Sequence, residues 1–134
     1  MSRGFLMNES MNHQLELFLL PERYAVVRLA ALSPVPSWAW RGTLNAVVRT
    51  EDELSIVCEQ SAVPDDVKCE PDWIALKLQG PILFSTTGVL ASLVNPLAAA
   101  DIPVFAISTY DTDYILIKAE DLARARTVLM IKNV

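Results

Sequence analysis

The sequence predicts an α+β protein in which one arrangement, a strand, a helix and then a hairpin, occurs twice. Three observations carry that expectation. Residues 104–118 read as two strands rich in branched and aromatic side chains, joined by the polar turn Thr109-Tyr110-Asp111-Thr112. Residues 46–57 are a fainter copy, with Thr50 aligned to Thr109, Asp52 to Asp111, and a turn one residue shorter. Residues 24–29 echo residues 73–78 position for position, from Tyr24/Trp73 to Leu29/Leu78. Two aligned blocks in the same order point to duplication more strongly than either block alone.

Taken in order, residues 1–12 are polar and Met-rich and read as a tail. Residues 14–20 form a strand ended by Pro21, and residues 23–30 form a stronger one. Residues 33–42 suit a short helix, capped by Ser33 or Ser37, with a proline in its first turn and Gly42 at its end. The first hairpin follows over 44–59. Residues 61–71, with two prolines and three acidic residues, make a connector between halves. A strand over 72–79 leads to a helix capped by Thr86 or Thr87, in which Val89, Leu90, Leu93, Val94, Leu97 and Ala98 share one face. Pro96 removes a backbone donor and predicts a kink near Leu93. After the second hairpin, Ala119-Glu120-Asp121 open a last helix, with Leu122, Ala125, Val128 and Leu129 buried and Arg124 and Arg126 facing water. The final residues return as a short strand. The division this predicts is a tail over 1–12, a first and degenerate unit over 13–65, and a second unit over 66–134.

Composition narrows the function. The chain has 134 residues, 52% of them hydrophobic, and a mean hydropathy of +0.32. Such content implies a large core or an apolar face covered by a second copy, so a homodimer is expected. The long uncharged stretch over residues 80–100 holds two prolines and two glycines and is a poor membrane span. Residues 1–12 lack the apolar segment of a secretory signal, which makes the expected location cytoplasmic. A net charge of −5, with eleven scattered basic residues, offers no phosphate-neutralising stripe, so no nucleic acid partner is expected. Cys58 and Cys69 read as free thiols, with a disulfide as the alternative. One histidine and no Cys-x-x-Cys spacing argue against zinc, and no metal or cofactor is expected.

The chemistry concentrates at two places. A helix start at Thr86-Thr87-Gly88-Val89 presents N–H groups and the positive end of the helix dipole, and Gly88 permits close backbone approach. This suits a carboxylate, although on the residues alone a plain helix cap explains it better. In the turn, Asp113 can pair with an ammonium or a guanidinium, or simply brace the hairpin, a role that fits Asp111 better. Tyr110 either covers an aliphatic stem or packs on the sheet. Catalysis has weak support. Asp111 and Asp113 are two apart, and neither Cys58 nor Cys69 has an obvious activating base nearby in sequence.

The order of elements, with Phe105-Ala106-Ile107-Ser108-Thr109-Tyr110-Asp111-Thr112-Asp113-Tyr114-Ile115-Leu116 and Thr87-Gly88-Val89-Leu90-Ala91-Ser92-Leu93, resembles a tandem ACT-domain protein. The likeness is to the small bacterial two-ACT proteins, related to the regulatory ACT domains of aspartate kinase and of animal cytosolic arginine sensors. It covers the second half strongly. The first half departs from it, since Pro36-Ser37-Trp38 replaces the glycine-valine helix start. The resemblance implies two ferredoxin-like βαββαβ units, antiparallel sheets with helices on one face. It also implies a non-catalytic regulatory role, with a free amino acid held between ACT units and an enzyme or other protein as the regulated partner. On that basis Thr86, Thr87, Gly88, Val89, Thr109, Tyr110 and Asp113 are the expected ligand-binding residues. A ligand-free dimerisation or interaction module is the competing expectation.

Overall fold

A computed structural model describes residues 16–79 and 88–130. The chain forms two compact units, Pro21–Ile74 and a second body that joins Met1–Leu20 to Ala75–Val134. Here they are called the inner and outer unit. The sequence division at 65/66 is not where these bodies part: the chain leaves the outer unit after Leu20 and returns to it at Ala75.

β1 (Leu17–Leu19) belongs to the outer body, and β2 (Tyr24–Leu29) opens the inner one. A 3₁₀ turn at Ser37–Trp40, the hairpin of β3 (Ala46–Arg49) and β4 (Leu54–Glu59), and a second 3₁₀ turn at Gln60–Ala62 come next. The first residues of β5 (Cys69–Leu78) complete the unit. Its strand order is β3-β4-β2-β5. The helix expected over 33–42 is therefore reduced to four residues. Pro34 and Pro36 push the residues before them towards extended backbone, Pro36 itself is extended at φ −66°, ψ 151°, and Gly42 adopts φ +97°. Too few residues remain to nucleate an α-helix. The turn still plugs the core, burying Ala39 and packing Trp38 against Val27, Leu54, Ile56 and Cys58. Trp40 points the other way and is 57% exposed.

β5 begins three residues before the expected strand. It contains a bulge, since Tyr24 pairs with Trp73 but Val26 with Glu70. Asp72 sits there at φ +66°, a conformation that Asp tolerates better than most residues. Gln60 holds it, accepting from the Asp72 N–H at 2.6 Å and donating to its Oδ1 at 3.3 Å.

In the outer unit, the later part of β5 is followed by α1 (Val89–Ala99), the hairpin of β6 (Val104–Ser108) and β7 (Asp113–Lys118), a 3₁₀ turn at Ala119–Asp121, and α2 (Leu122–Leu129). The order is β6-β7-β5, with β1 on the other side of β5 in the register Leu17↔Leu78, Phe18↔Lys77 and Leu19↔Leu76. The closing strand expected at the C-terminus lies outside the described residues. Leu17 from the start of the chain is fully buried against that edge of β5 instead.

Val89, Leu93 and Leu97, spaced four apart, form the buried stripe of α1. The helix continues through Pro96. Arg124 on α2 donates to the Ala100 carbonyl at 3.1 Å, placing a cation at the negative end of α1. On α2, Ala125 and Leu129 are buried and Arg124 is exposed as expected. Arg126 is not. It is half-buried, and its Nε has no hydrogen-bond partner among the described residues. The strands run antiparallel wherever their register is defined. The fold is α+β and ferredoxin-like.

Candidate functional site

The two hairpins turn in the same way. In the inner unit, Thr50 N–H donates to Glu53 O at 2.9 Å, and the Thr50 hydroxyl accepts from the N–H groups of Asp52 and Glu53, both at 3.1 Å. In the outer unit, Thr109 N–H donates to Thr112 O at 2.8 Å, and the Thr109 hydroxyl donates to the same oxygen at 3.0 Å and receives the Thr112 N–H at 3.2 Å. A threonine hydroxyl that replaces a backbone partner across three residues is a stable way to close a turn. Four residues separate the strands in both cases, because Arg49 pairs with Leu54 and Ser108 with Asp113. The first turn is not one residue shorter, and Asp113 corresponds to Leu54.

This geometry sorts the expected ligand-binding residues. The Thr109 hydroxyl is occupied inside the turn and braces it. Tyr110, at the tip, is 82% exposed. Asp113 is half-buried at the first position of β7, paired with Ser108 across the hairpin. Asp111, like Asp52, is an exposed turn residue.

Thr112, which the sequence reading passed over, ties this tip to the rest of the unit. It is buried at 6% exposure and donates its hydroxyl to Leu78 O at 2.8 Å. The hairpin tip is thereby held at the end of β5, from which the chain sets out towards α1. Its inner-unit counterpart is Glu53. The signal was a threonine where the copy carries a charge.

At the helix start, Gly88 occupies the N-cap position at φ +82°, ψ −5°. A Cβ built there meets no atom within 4 Å among the described residues, so backbone conformation rather than crowding favours glycine. Val89 is buried, so its side chain holds the helix on the sheet while its backbone belongs to the first turn. Ser92 N–H returns to Gly88 O at 2.9 Å. No acidic side chain lies in the first turn to neutralise the dipole. Thr86 and Thr87 lie outside the described residues.

The cysteines are free. Cys58 pairs with Ala25 and Cys69 with Val27, on opposite sides of β2. Two strand spacings make about 10 Å between them, beyond the about 7 Å that a disulfide spans. Burial, with Cys69 and Glu59 nearby, pushes the Cys58 thiol up to about 11, so at neutral pH it is not a thiolate nucleophile. Among the described residues, no group of three or more His, Cys, Asp or Glu side chains is placed to hold a metal. No described helix is long and apolar enough to cross a membrane.

Comparison with known proteins bears on this site. The ACT-domain family model matches residues 68–130, and a model for the N-terminal domain of another protein family matches residues 22–66. The human cytosolic arginine sensor for mTORC1 subunit 1 is 32% identical over 108 residues, covering 75% of this chain and 32% of the sensor. The chain thus spans about a third of the length of that relative. An Agrobacterium tumefaciens protein of known structure is 38% identical, with a TM-score of 0.81 and 85% of each chain covered. The regulatory subunit of Thermus thermophilus aspartate kinase superposes with a TM-score of 0.57 at 17% identity, over 90% of this chain and 97% of that one, a likeness of fold.

Proposed function

The chain belongs to the ACT-domain family, and on that premise we propose that it is a non-catalytic regulatory protein that binds a free amino acid. The observation that carries this reading is the uncapped start of α1 at Gly88 in the unit whose hairpin tip Thr112 fastens to the end of β5. The helix start supplies N–H donors for an α-carboxylate. Asp113 supplies the opposite charge for an ammonium or guanidinium, and Tyr110 a ring to cover the ligand's stem. Thr86 and Thr87 belong to the same proposed site. The resemblance implies a ligand held between ACT units, with the two bodies as copies of one module.

A regulated enzyme or protein as partner, a homodimer and a cytoplasmic location are parts of the same proposal. The relative's name as a cytosolic arginine sensor supports the location and the sensing role. β6 is the outermost strand of its unit among the described residues, which offers an edge for pairing.

Regulation would follow from linkage: the amino acid stabilises whichever arrangement binds it more tightly. A thermal-shift screen of the standard amino acids tests this. At about 100 times its dissociation constant the ligand adds about 2.7 kcal/mol of stability, and Asp113→Ala removes that gain. If no amino acid raises the melting temperature, the amino-acid reading fails. A ligand-independent dimer by light scattering, with no bound small molecule by mass spectrometry, would then favour the interaction module.

A further inference from the structure

The two hairpin tips are tied to their units by different means. In the inner unit the exposed Arg28 side chain reaches from β2 and donates to Asp52 O at 3.0 Å. A guanidinium on a long exposed arm competes with water for that carbonyl and costs rotamer entropy to hold. In the outer unit the tie is short and buried. The hydroxyl of Thr112, a residue 6% exposed, donates directly to Leu78 O at 2.8 Å. A buried hydroxyl cannot trade that partner for water without cost, so its rotamer is fixed.

Every polar group of Thr112 is committed. Its N–H donates to the Thr109 hydroxyl at 3.2 Å. Its carbonyl accepts from the Thr109 N–H at 2.8 Å and from the Thr109 hydroxyl at 3.0 Å. Leu78, which receives the Thr112 hydroxyl, is itself fully buried and paired with Leu17. Beside it the Gln79 N–H donates to Glu16 O at 2.8 Å. Asp113 is the next residue, so its backbone starts from a point fixed at three atoms. Its carboxylate forms no ion pair among the described residues. The inner turn closes with the same threonine brace over the same four residues, yet it has neither feature. Glu53 stands at the place of Thr112, and Leu54 at that of Asp113. A buried tie is therefore not needed to close such a turn. It occurs where the carboxylate occurs.

We propose that Thr112 is a positioning residue of the amino-acid site: its bond to Leu78 O, braced by Thr109, sets the Asp113 carboxylate for the ligand's ammonium or guanidinium. Thr112 itself touches no ligand, because its polar groups are all spent within the unit. Fixing a charged acceptor before the ligand arrives removes the cost of ordering it on binding. The proposal rests on the amino-acid reading above and adds to it how the anionic side of that site is held.

A double-mutant cycle on the full chain tests it, read by calorimetry with the standard amino acids titrated one by one. Thr112→Val keeps the shape and removes the hydroxyl, and should weaken binding about tenfold. Thr112→Ser keeps the hydroxyl and should restore most of that loss. In an Asp113→Asn background, where an oxygen acceptor remains without its charge, Thr112→Val should change affinity by less than about twofold. Thr109→Ala, which removes the brace and leaves Thr112 in place, should show the same dependence on Asp113. This second cycle decides the matter if Thr112→Val is too unstable to titrate. A purely structural role would lower affinity equally in both backgrounds. That result, or full-strength binding by Thr112→Val, would overturn the proposal and leave the amino-acid reading standing. A parent protein that binds no amino acid would overturn both.

Discussion

The inner and outer units arrange their strands alike, β3-β4-β2-β5 in one and β6-β7-β5-β1 in the other, yet only the outer unit has α-helices. Where α1 spans eleven residues, the inner unit makes one 3₁₀ turn of four. The topology survives because strand pairing and a plugged core, rather than the helix itself, hold this arrangement. Leu93 and Leu97 fill the layer beside one sheet, and Trp38 and Ala39 fill it beside the other. The turns teach the complementary lesson. Their threonine braces are the same, but only the outer turn carries a second threonine that reaches back to its own sheet.

The comparison breaks first in the cores. Leu93→Ala leaves a cavity under α1 and should cost about 2–5 kcal/mol in urea unfolding. Trp38→Ala, at a half-buried side chain, should cost less. If the order is reversed, the 3₁₀ turn carries more of the fold than the helix does. Next come the turns. Thr112→Val strands the Leu78 carbonyl and should lose about 1–3 kcal/mol, whereas Glu53→Ala in the inner turn should stay within about 0.5 kcal/mol. Equal losses would mean that the tether at Leu78 is not what distinguishes the two hairpins.

The smallest effect lies in the pH dependence. Burial raises the Glu22 carboxyl, but hydrogen bonds from Thr43, from its own backbone and from Tyr24 together hold it below its ordinary 4.5. Its contribution is complete above the unfolded value near 4.5 and is lost as pH falls through the lower folded value. Thr43→Ala removes the hydroxyl donor, so stability measured between neutral pH and pH 3 should fall off less steeply than in the parent. An unchanged acid limb would show that the Thr43 hydroxyl is not what holds Glu22 ionised.

Much of this was legible beforehand because it is written locally. The hairpins follow from alternation and from Thr-Asp turn chemistry, α1 from apolar residues at helical spacing, and the opposite facing of Trp38 and Trp40 from their two-residue separation. Gly88 at the helix start and Asp113 at the hairpin were also visible, as types suited to a positive φ and to a cation. What was missed depended on neighbours distant in the chain. Thr112 looks like any turn threonine until Leu78 O is brought to it. The helix over 33–42 was read from its caps, and the paired prolines inside it were underweighted.

Short-range pattern by itself determined which segments are strands, where they turn and which faces are apolar, since those choices depend on neighbours two to four positions away. Only the tertiary structure decided how the pieces are shared. It set Leu17 beside Leu78, so that the strand closing the outer sheet comes from the opposite end of the chain, and it divided β5 between two bodies at Ile74 and Ala75. A sheet edge accepts any strand of suitable register and face, and lengthening the intervening loop costs little extra entropy. Sequence order therefore does not dictate which strand fills it.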